Sequence, residues 1–134
     1  MLYEVKLRIE KENSKGELKK VVEHYIIDKC ELFAEAEMRA LQEYDNNCEV
    51  FYIAQSKIVE IVNQKEDDKP FFKAMVVSVS IDDDGAERET TYPVLVCAEN
   101  IKEANKLMEE YLKQGMTDMS VSGITKTKIL DLLE

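Results

Sequence analysis

One order of signals runs along this chain twice, and that constrains the fold more than any single motif. Each pass reads strand, glycine-containing turn, strand, helix, strand and short apolar run. Tyr3 falls on Phe72 and Gly16 on Gly85, both 69 apart. Glu35 falls on Glu103 and Ala36 on Ala104, both 68 apart. Ile53 falls on Ile124, and Lys57-Ile58 on Lys128-Ile129, all 71 apart. The drift sits in loops, where length changes are tolerated. This pattern predicts an internal duplication. Two copies are too few for a solenoid. The expected fold class is α+β: two ββαβ-type pseudo-repeats, with mainly antiparallel sheet and one helix per repeat packed on it. Residues 1–134 are expected to form a single compact domain, with repeat 1 at about 1–62, a linker at 63–70 and repeat 2 at about 71–134. Each repeat alone is near the lower size for independent folding, so a shared core through a pseudo-dyad is expected.

The local patterns carry this reading. Val5, Leu7 and Ile9 alternate with Glu4, Lys6, Arg8 and Glu10, the period of a half-buried strand. Asn13-Ser14-Lys15-Gly16 is turn chemistry, and Val21 to Ile27 completes a hairpin. Phe33, Ala36, Ala40, Leu41 and Tyr44 stripe one helix face. Glu35 and Arg39 stand one turn apart in the favourable acid-first order, and Asp45-Asn46-Asn47 ends the helix. Glu49 to Ala54 reads as strand and Lys57 to Val62 as a short apolar run. After the polar break Asn63–Pro70 the order resumes. Phe71 to Ile81 is a strand, Asp82-Asp83-Asp84-Gly85 a turn and Thr90 to Cys97 a strand. A helix follows from Ile101, with Asn100 and Glu103 at capping-box spacing and Gly115 as C-cap. Ser120 to Ile124 is a strand and Lys128 to Leu133 a short apolar tail. Pro93 cannot donate to a ladder, which predicts an edge or a strand start there. Met75, Val77, Val79 and Ile81 alternate with Ala74 and Val76, so that strand is apolar on both faces and is expected to be central or covered.

Charge narrows the partners. The formal net charge is −10, with 18 basic and 28 acidic residues. Phosphate affinity is mostly Lys/Arg neutralisation, so nucleic acid is not an expected partner, and anionic membrane is disfavoured for the same reason. Residues 1–69 hold 11 basic and 16 acidic side chains, and residues 70–134 hold 7 and 12. Each half is therefore −5, with no polarised tail. No signal segment or membrane span is visible. Cys30, Cys48 and Cys97 form no C-x-x-C and leave one unpaired in any disulfide scheme, which reads as buried, reduced thiols in a cytoplasmic protein.

The candidate sites read as structural. His24 is the single histidine and shares a face with Val22 and Ile26, without partners for a triad or a metal site. The contiguous acids of Asp82–Asp84 do not fit an EF-hand loop, and Glu66-Asp67-Asp68 reads as a solvated linker. No G-x-S-x-G, S-x-x-K, H-E-x-x-H, P-loop or G-x-G-x-x-G occurs. No catalytic, cofactor-binding or metal residue is assigned, no cofactor is expected, and the chain reads as a non-enzyme. Tyr3, Tyr25, Tyr44, Phe72, Tyr92 and Tyr111 are expected to pack the cores. Lys15, Lys19 and Lys20 read as a charged rim. The interaction surface named from sequence is Met75, Val77 and Val79 with Lys126 and Lys128.

Four segments resemble a known family. Tyr3-Glu4-Val5-Lys6-Leu7, Phe33-Ala34-Glu35-Ala36-Glu37, Asp67-Asp68-Lys69-Pro70-Phe71-Phe72-Lys73-Ala74 and Ile124-Thr125-Lys126-Thr127-Lys128-Ile129 together resemble a domain-of-unknown-function family of gut Bacteroidetes and their phages and mobile elements. Family members tend to carry Trp where Leu2 and Phe71 stand, and Ser/Thr near the first helix start, where Leu32 and Ala34 stand. A weaker cap on that helix is expected. The resemblance implies a bacterial or phage origin and a cytoplasmic setting, and supplies no substrate. The expected function is a non-catalytic interaction or adaptor protein of a phage or mobile element, with a protein partner and a homodimer through the doubly apolar strand. The alternative is a nucleotide-like small-ligand binder with a pocket at the pseudo-dyad.

Overall fold

The computed structural model describes residues 2–63, 69–114 and 118–133. Two α-helices accompany two mostly antiparallel sheets, an α+β fold. In chain order the elements are β1 (Tyr3–Glu12), β2 (Leu18–Ile27), α1 (Phe33–Gln42), β3 (Glu49–Gln55), β4 (Glu60–Val62), β5 (Phe71–Ile81), β6 (Glu87–Cys97), α2 (Ile101–Leu112), β7 (Asp118–Lys126) and β8 (Ile129–Leu133). The chain divides into two compact units, Met1–Ser56 with Lys128–Glu134, and Lys57–Thr127. The acidic stretch Glu66-Asp67-Asp68, most of the linker expected at 63–70, and the C-cap expected at Gly115 lie outside the described residues.

In the first unit the sheet order is β3-β1-β2-β8. β1 pairs antiparallel with β2 and β3, and β2 pairs parallel with β8. The β1–β2 turn is fixed by Asn13. Its backbone N–H donates to Glu17 O at 2.9 Å, and its Oδ1 accepts from the N–H groups of Lys15 and Glu17. Gly16, at φ 77°, supplies the left-handed residue such a hairpin loop needs. Tyr3, Val5, Leu7 and Ile9 alternate into the core against Tyr25, Ile27, Ala36 and Ala40, so the period-two reading of β1 holds. Asp45 and Asn46 have φ of 50° and 68° and break α1 in the short polar residues that tolerate this conformation best. Leu32 caps α1 with no side-chain hydrogen bond, as the sequence departures predict.

Arg39 departs from expectation. Its guanidinium donates to the carbonyls of Asp28 at 2.6 Å and Lys29 at 3.0 Å, rather than serving a Glu35 pair. A planar donor fork reaches two carbonyls of the β2–α1 link, where Lys29 stands at φ 59°.

In the second unit the sheet order is β4-β6-β5-β7. β5 pairs antiparallel with β6 and β7, and β4 pairs parallel with β6. Asp82 closes the β5–β6 turn. Its N–H donates to Ala86 O, and its Oδ1 accepts from Asp84 and Ala86, with Gly85 at φ 80°. Phe72, Ala74, Val76, Val94 and Val96 bury against Ala104 and Met108 of α2. Asn100 caps α2, its Oδ1 accepting from Glu103 N–H at 2.8 Å.

Pro93 corrects its sequence reading. It sits inside β6, a strand with neighbours on both sides, paired in register with Met75. The β4 ladder begins only at Val94, and Val59 N–H donates to Pro93 O at 3.0 Å. A strand residue points its own N and O to the same side, so the proline nitrogen faces away from β5 and no β5–β6 bond is lost. β5 lies between β6 and β7, which agrees with a central place for the doubly apolar strand.

Candidate functional site

Side-chain alternation places the sequence-named residues. Phe72, Ala74 and Val76 face α2, so Met75, Val77 and Val79 lie on the opposite face of β5, each half-buried. Ile81 ends that row 72% exposed. Its cross-strand neighbours are small or polar. Met75 lies opposite Pro93 and Gly123, Val77 opposite Thr91 and Ser120, and Val79 opposite Glu89 and Asp118. The result is an apolar stripe flanked by short side chains and closed at the hairpin end by acids. Lys126 does not join it. That residue is exposed at the end of β7 in register with Phe72, on the alternation of the helix-facing side. Lys128 is exposed and belongs to the first unit.

The first unit holds a buried carboxylate that sequence reasoning missed. Glu23 is 5% exposed and stands on the core-facing side of β2, opposite Leu7. Its Oε1 accepts from the hydroxyls of Tyr25, at 3.1 Å, and Tyr44, and its Oε2 accepts from Lys11 Nζ at 3.1 Å. Burial disfavours the ion, but the hydrogen bonds from Tyr44, Lys11 and Tyr25 outweigh it and hold the carboxyl below its usual range. Burial and the neighbouring carboxylate push both tyrosine hydroxyls up, so they stay protonated donors. The signal was present in the period: Glu23 occupies an inward position between Val21 and Tyr25. All three donors converge on one carboxylate, which makes this a structural anchor rather than a free acid or base.

The second unit has a tyrosine at the matching strand position. Tyr92 stands opposite Val76, its hydroxyl 3.4 Å from Met119 Sδ. Tyr111 of α2 donates to Glu60 Oε2 at 2.6 Å, and burial, then Glu60, raise its hydroxyl pKa. Glu60 and Tyr111 line a cleft of about 270 Å³ with Ile61, Val62, Leu107 and Glu110.

The outer face of the first sheet is aromatic and basic. Lys6 Nζ lies 4.9 Å from the Tyr52 ring centroid and Arg8 Cζ 4.4 Å from that of Phe51. Arg8 also bridges Glu49 at 3.3 Å. Phe51 and Tyr52 are 41% and 42% exposed. His24 shares this face with its Nε2 3.7 Å from Glu4 Oε1, buried and without a hydrogen-bond partner. Burial lowers its pKa, and Glu4 only partly offsets this. Tyr3, Tyr25 and Phe72 are buried and Tyr44, Tyr92 and Tyr111 pack half-buried against the two cores, as the sequence predicts for these aromatics. Cys30 and Cys97 are fully buried and Cys48 half-buried, and burial pushes the Cys30 and Cys48 thiols up. No helix among the described residues is long and apolar enough to cross a membrane.

The chain belongs to the family described as Domain of unknown function (DUF4494), whose model matches residues 1–134. No curated protein and no solved structure matches it.

Proposed function

We propose that this chain is a non-catalytic interaction protein that docks a protein partner on the outer face of β5. The carrying observation is the stripe Met75, Val77 and Val79, half-buried on the side of the sheet away from α2 and flanked by Thr91, Pro93, Ser120 and Gly123. Small flanking residues leave these half-buried apolar side chains partly accessible, and apolar surface grouped in one place marks contact sites. The phage or mobile-element setting in gut Bacteroidetes enters this reading from the sequence resemblance, as does the cytoplasmic compartment. Affinity capture from the native host, with the double variant Met75→Lys, Val77→Lys alongside, tests it. A partner retained by the wild type and lost by the variant supports the reading, and equal capture by both overturns it. Light scattering separates a second copy of the chain from a different partner.

A second reading, binding of a nucleotide-like ligand, draws on Tyr52 and Phe51 with Lys6 and Arg8 at their faces. A thermal-shift series with nucleotides at high excess tests it, and no stabilisation ends it.

The chain is read further as two ββαβ pseudo-repeats. It is supported by the Asn13 and Asp82 turns, 69 residues apart and bonded alike. It is supported also by strand irregularities between Lys6 and Leu7 and between Met75 and Val76, again 69 apart.

A further inference from the structure

We propose that β7 accepts an extended segment of a protein partner as an added strand, lying in the groove between β7 and α2. This deepens the interaction reading by naming the form of the partner, and it uses a different surface from the β5 stripe. β7 is the end strand of its sheet. Its outward backbone N–H and C=O groups therefore have no neighbouring strand among the described residues, and such an edge is a template for main-chain pairing. A groove of about 460 Å³ runs beside it, lined by Ile101, Lys102 and Asn105 of α2 and by Val121, Gly123 and Ile124 of β7. The groove is shallow and open along its length, which suits an extended segment lying on the surface.

The lining defines the occupant. Ile101 is 54% exposed, and Val121 and Ile124 are half-buried on the helix-facing side of the strand. Side chains of an added strand alternate, so every second one enters this groove and meets apolar surface. Asn105 offers a donor and an acceptor. Lys102 is the one charged side chain among the lining residues described, which fits an acidic residue on the incoming segment. At Gly123 the space where a side chain would begin is open, with no atom within 4 Å. The irregularity in β7 leaves Ser122 out of the β5 register, with its hydroxyl donating to Met75 O at 3.4 Å. The occupant is therefore an extended peptide, apolar at alternate positions and carrying an acid near Lys102.

The edge of the first sheet is built differently. There the residue left over at the irregularity is Phe51, covered by the Arg8 guanidinium. A large ring under a charged group obstructs close approach of another backbone, whereas Ser122 and Gly123 permit it.

The experiment selects random peptides of about ten residues, displayed on phage, against the full chain, then titrates synthetic copies of the enriched ones. Expected are alternating apolar sequences with an Asp or Glu. Lys102→Glu weakens binding about tenfold or more, and exchanging the peptide's acid for Lys restores it on that variant. Methylating alternate peptide amides abolishes binding, because only a ladder needs those N–H groups. Lys19→Glu, on the exposed hairpin of the first unit, leaves affinity unchanged. Failure to enrich any peptide overturns the inference, as does binding insensitive to both Lys102→Glu and Ile101→Glu with the variants' circular dichroism intact. Peptides lost with Met75→Glu but kept with Lys102→Glu overturn strand addition while leaving the β5 reading standing.

Discussion

β1 and β5 hold the same central place in their sheets, with a helix on one side, yet their other faces differ. β1 turns Glu4, Lys6, Arg8 and Glu10 outward, whereas β5 turns out Met75, Val77, Val79 and Ile81. The cores differ in the same sense. The first unit buries a carboxylate at Glu23, opposite Leu7, where the second has Tyr92 opposite Val76. The helices follow suit: α1 buries only Ala36 and Ala40, and α2 buries Ala104 and Met108. One strand plan thus tolerates an apolar core holding a buried carboxylate under a charged exterior, or one holding a tyrosine at that place under an apolar exterior. The inner alternation sets the plan, and the outer one is free to specialise.

The largest test of this contrast is in the helix contacts. Met108→Ala should cost about 2–5 kcal/mol, because the cavity lies in a packed core. Ala40→Met should cost about 1–3 kcal/mol by overpacking. Urea unfolding midpoints read both, and a tolerated Met at position 40 would mean the two helix seats are alike.

The buried acid comes next. Glu23→Leu should cost about 2–3 kcal/mol by leaving Tyr25, Tyr44 and Lys11 without their acceptor, while Tyr92→Phe should cost under about 1 kcal/mol. The pH dependence sharpens this. Glu23 has a depressed pKa when folded, so the unfolded chain binds the proton more readily. Its stabilisation is full above the ordinary carboxyl range and is lost as pH falls through the depressed value. His24 acts in the same sense, since the folded state resists protonation of a ring that charges readily once unfolded. Unfolding free energies measured across the acid range should therefore fall more gently for Glu23→Gln than for wild type.

Helix capping should move stability less. Asn100→Ala removes a formed cap and should cost about 1 kcal/mol, and Leu32→Asp supplies a missing one and should gain up to about 1 kcal/mol. Thermal unfolding checks both signs. The smallest effect belongs to the charged exterior. Arg8→Ala should cost about 0.5 kcal/mol, since an exposed cation over a ring and a surface ion pair each contribute little.

Much of this arrangement was legible in the sequence, for identifiable reasons. The alternation from Val5 to Ile9, the turns at Gly16 and Gly85, both helices and the Asn100 cap each depend on residues within a few positions. The strand neighbours were not legible. Pro93 reads as an edge residue locally, yet it is accommodated because β4 joins only from Val94 onward. Arg39 has a fitting acid one turn away, but its guanidinium donates to the Asp28 and Lys29 carbonyls instead. The Glu23 anchor needs Lys11 and Tyr44, from a neighbouring strand and from beyond α1, and no local pattern announces such convergence. Of the interaction surface, the β5 stripe followed from period two. Lys126 and Lys128 looked adjacent but fall in different compact units.

The short strands β4 and β8 have a consequence for how such a chain could arise. Each follows the third strand of one unit in the sequence but completes the sheet of the other, beside β6 and β2 respectively. A half-length product ending near residue 62 would carry a strand with no sheet to join and would leave β2 uncovered. Two such products would satisfy each other by trading their tails. Separately expressed fragments 1–62 and 69–134 are accordingly expected to lack cooperative unfolding alone and to regain it on mixing. The covalent chain makes this exchange of strands within one molecule.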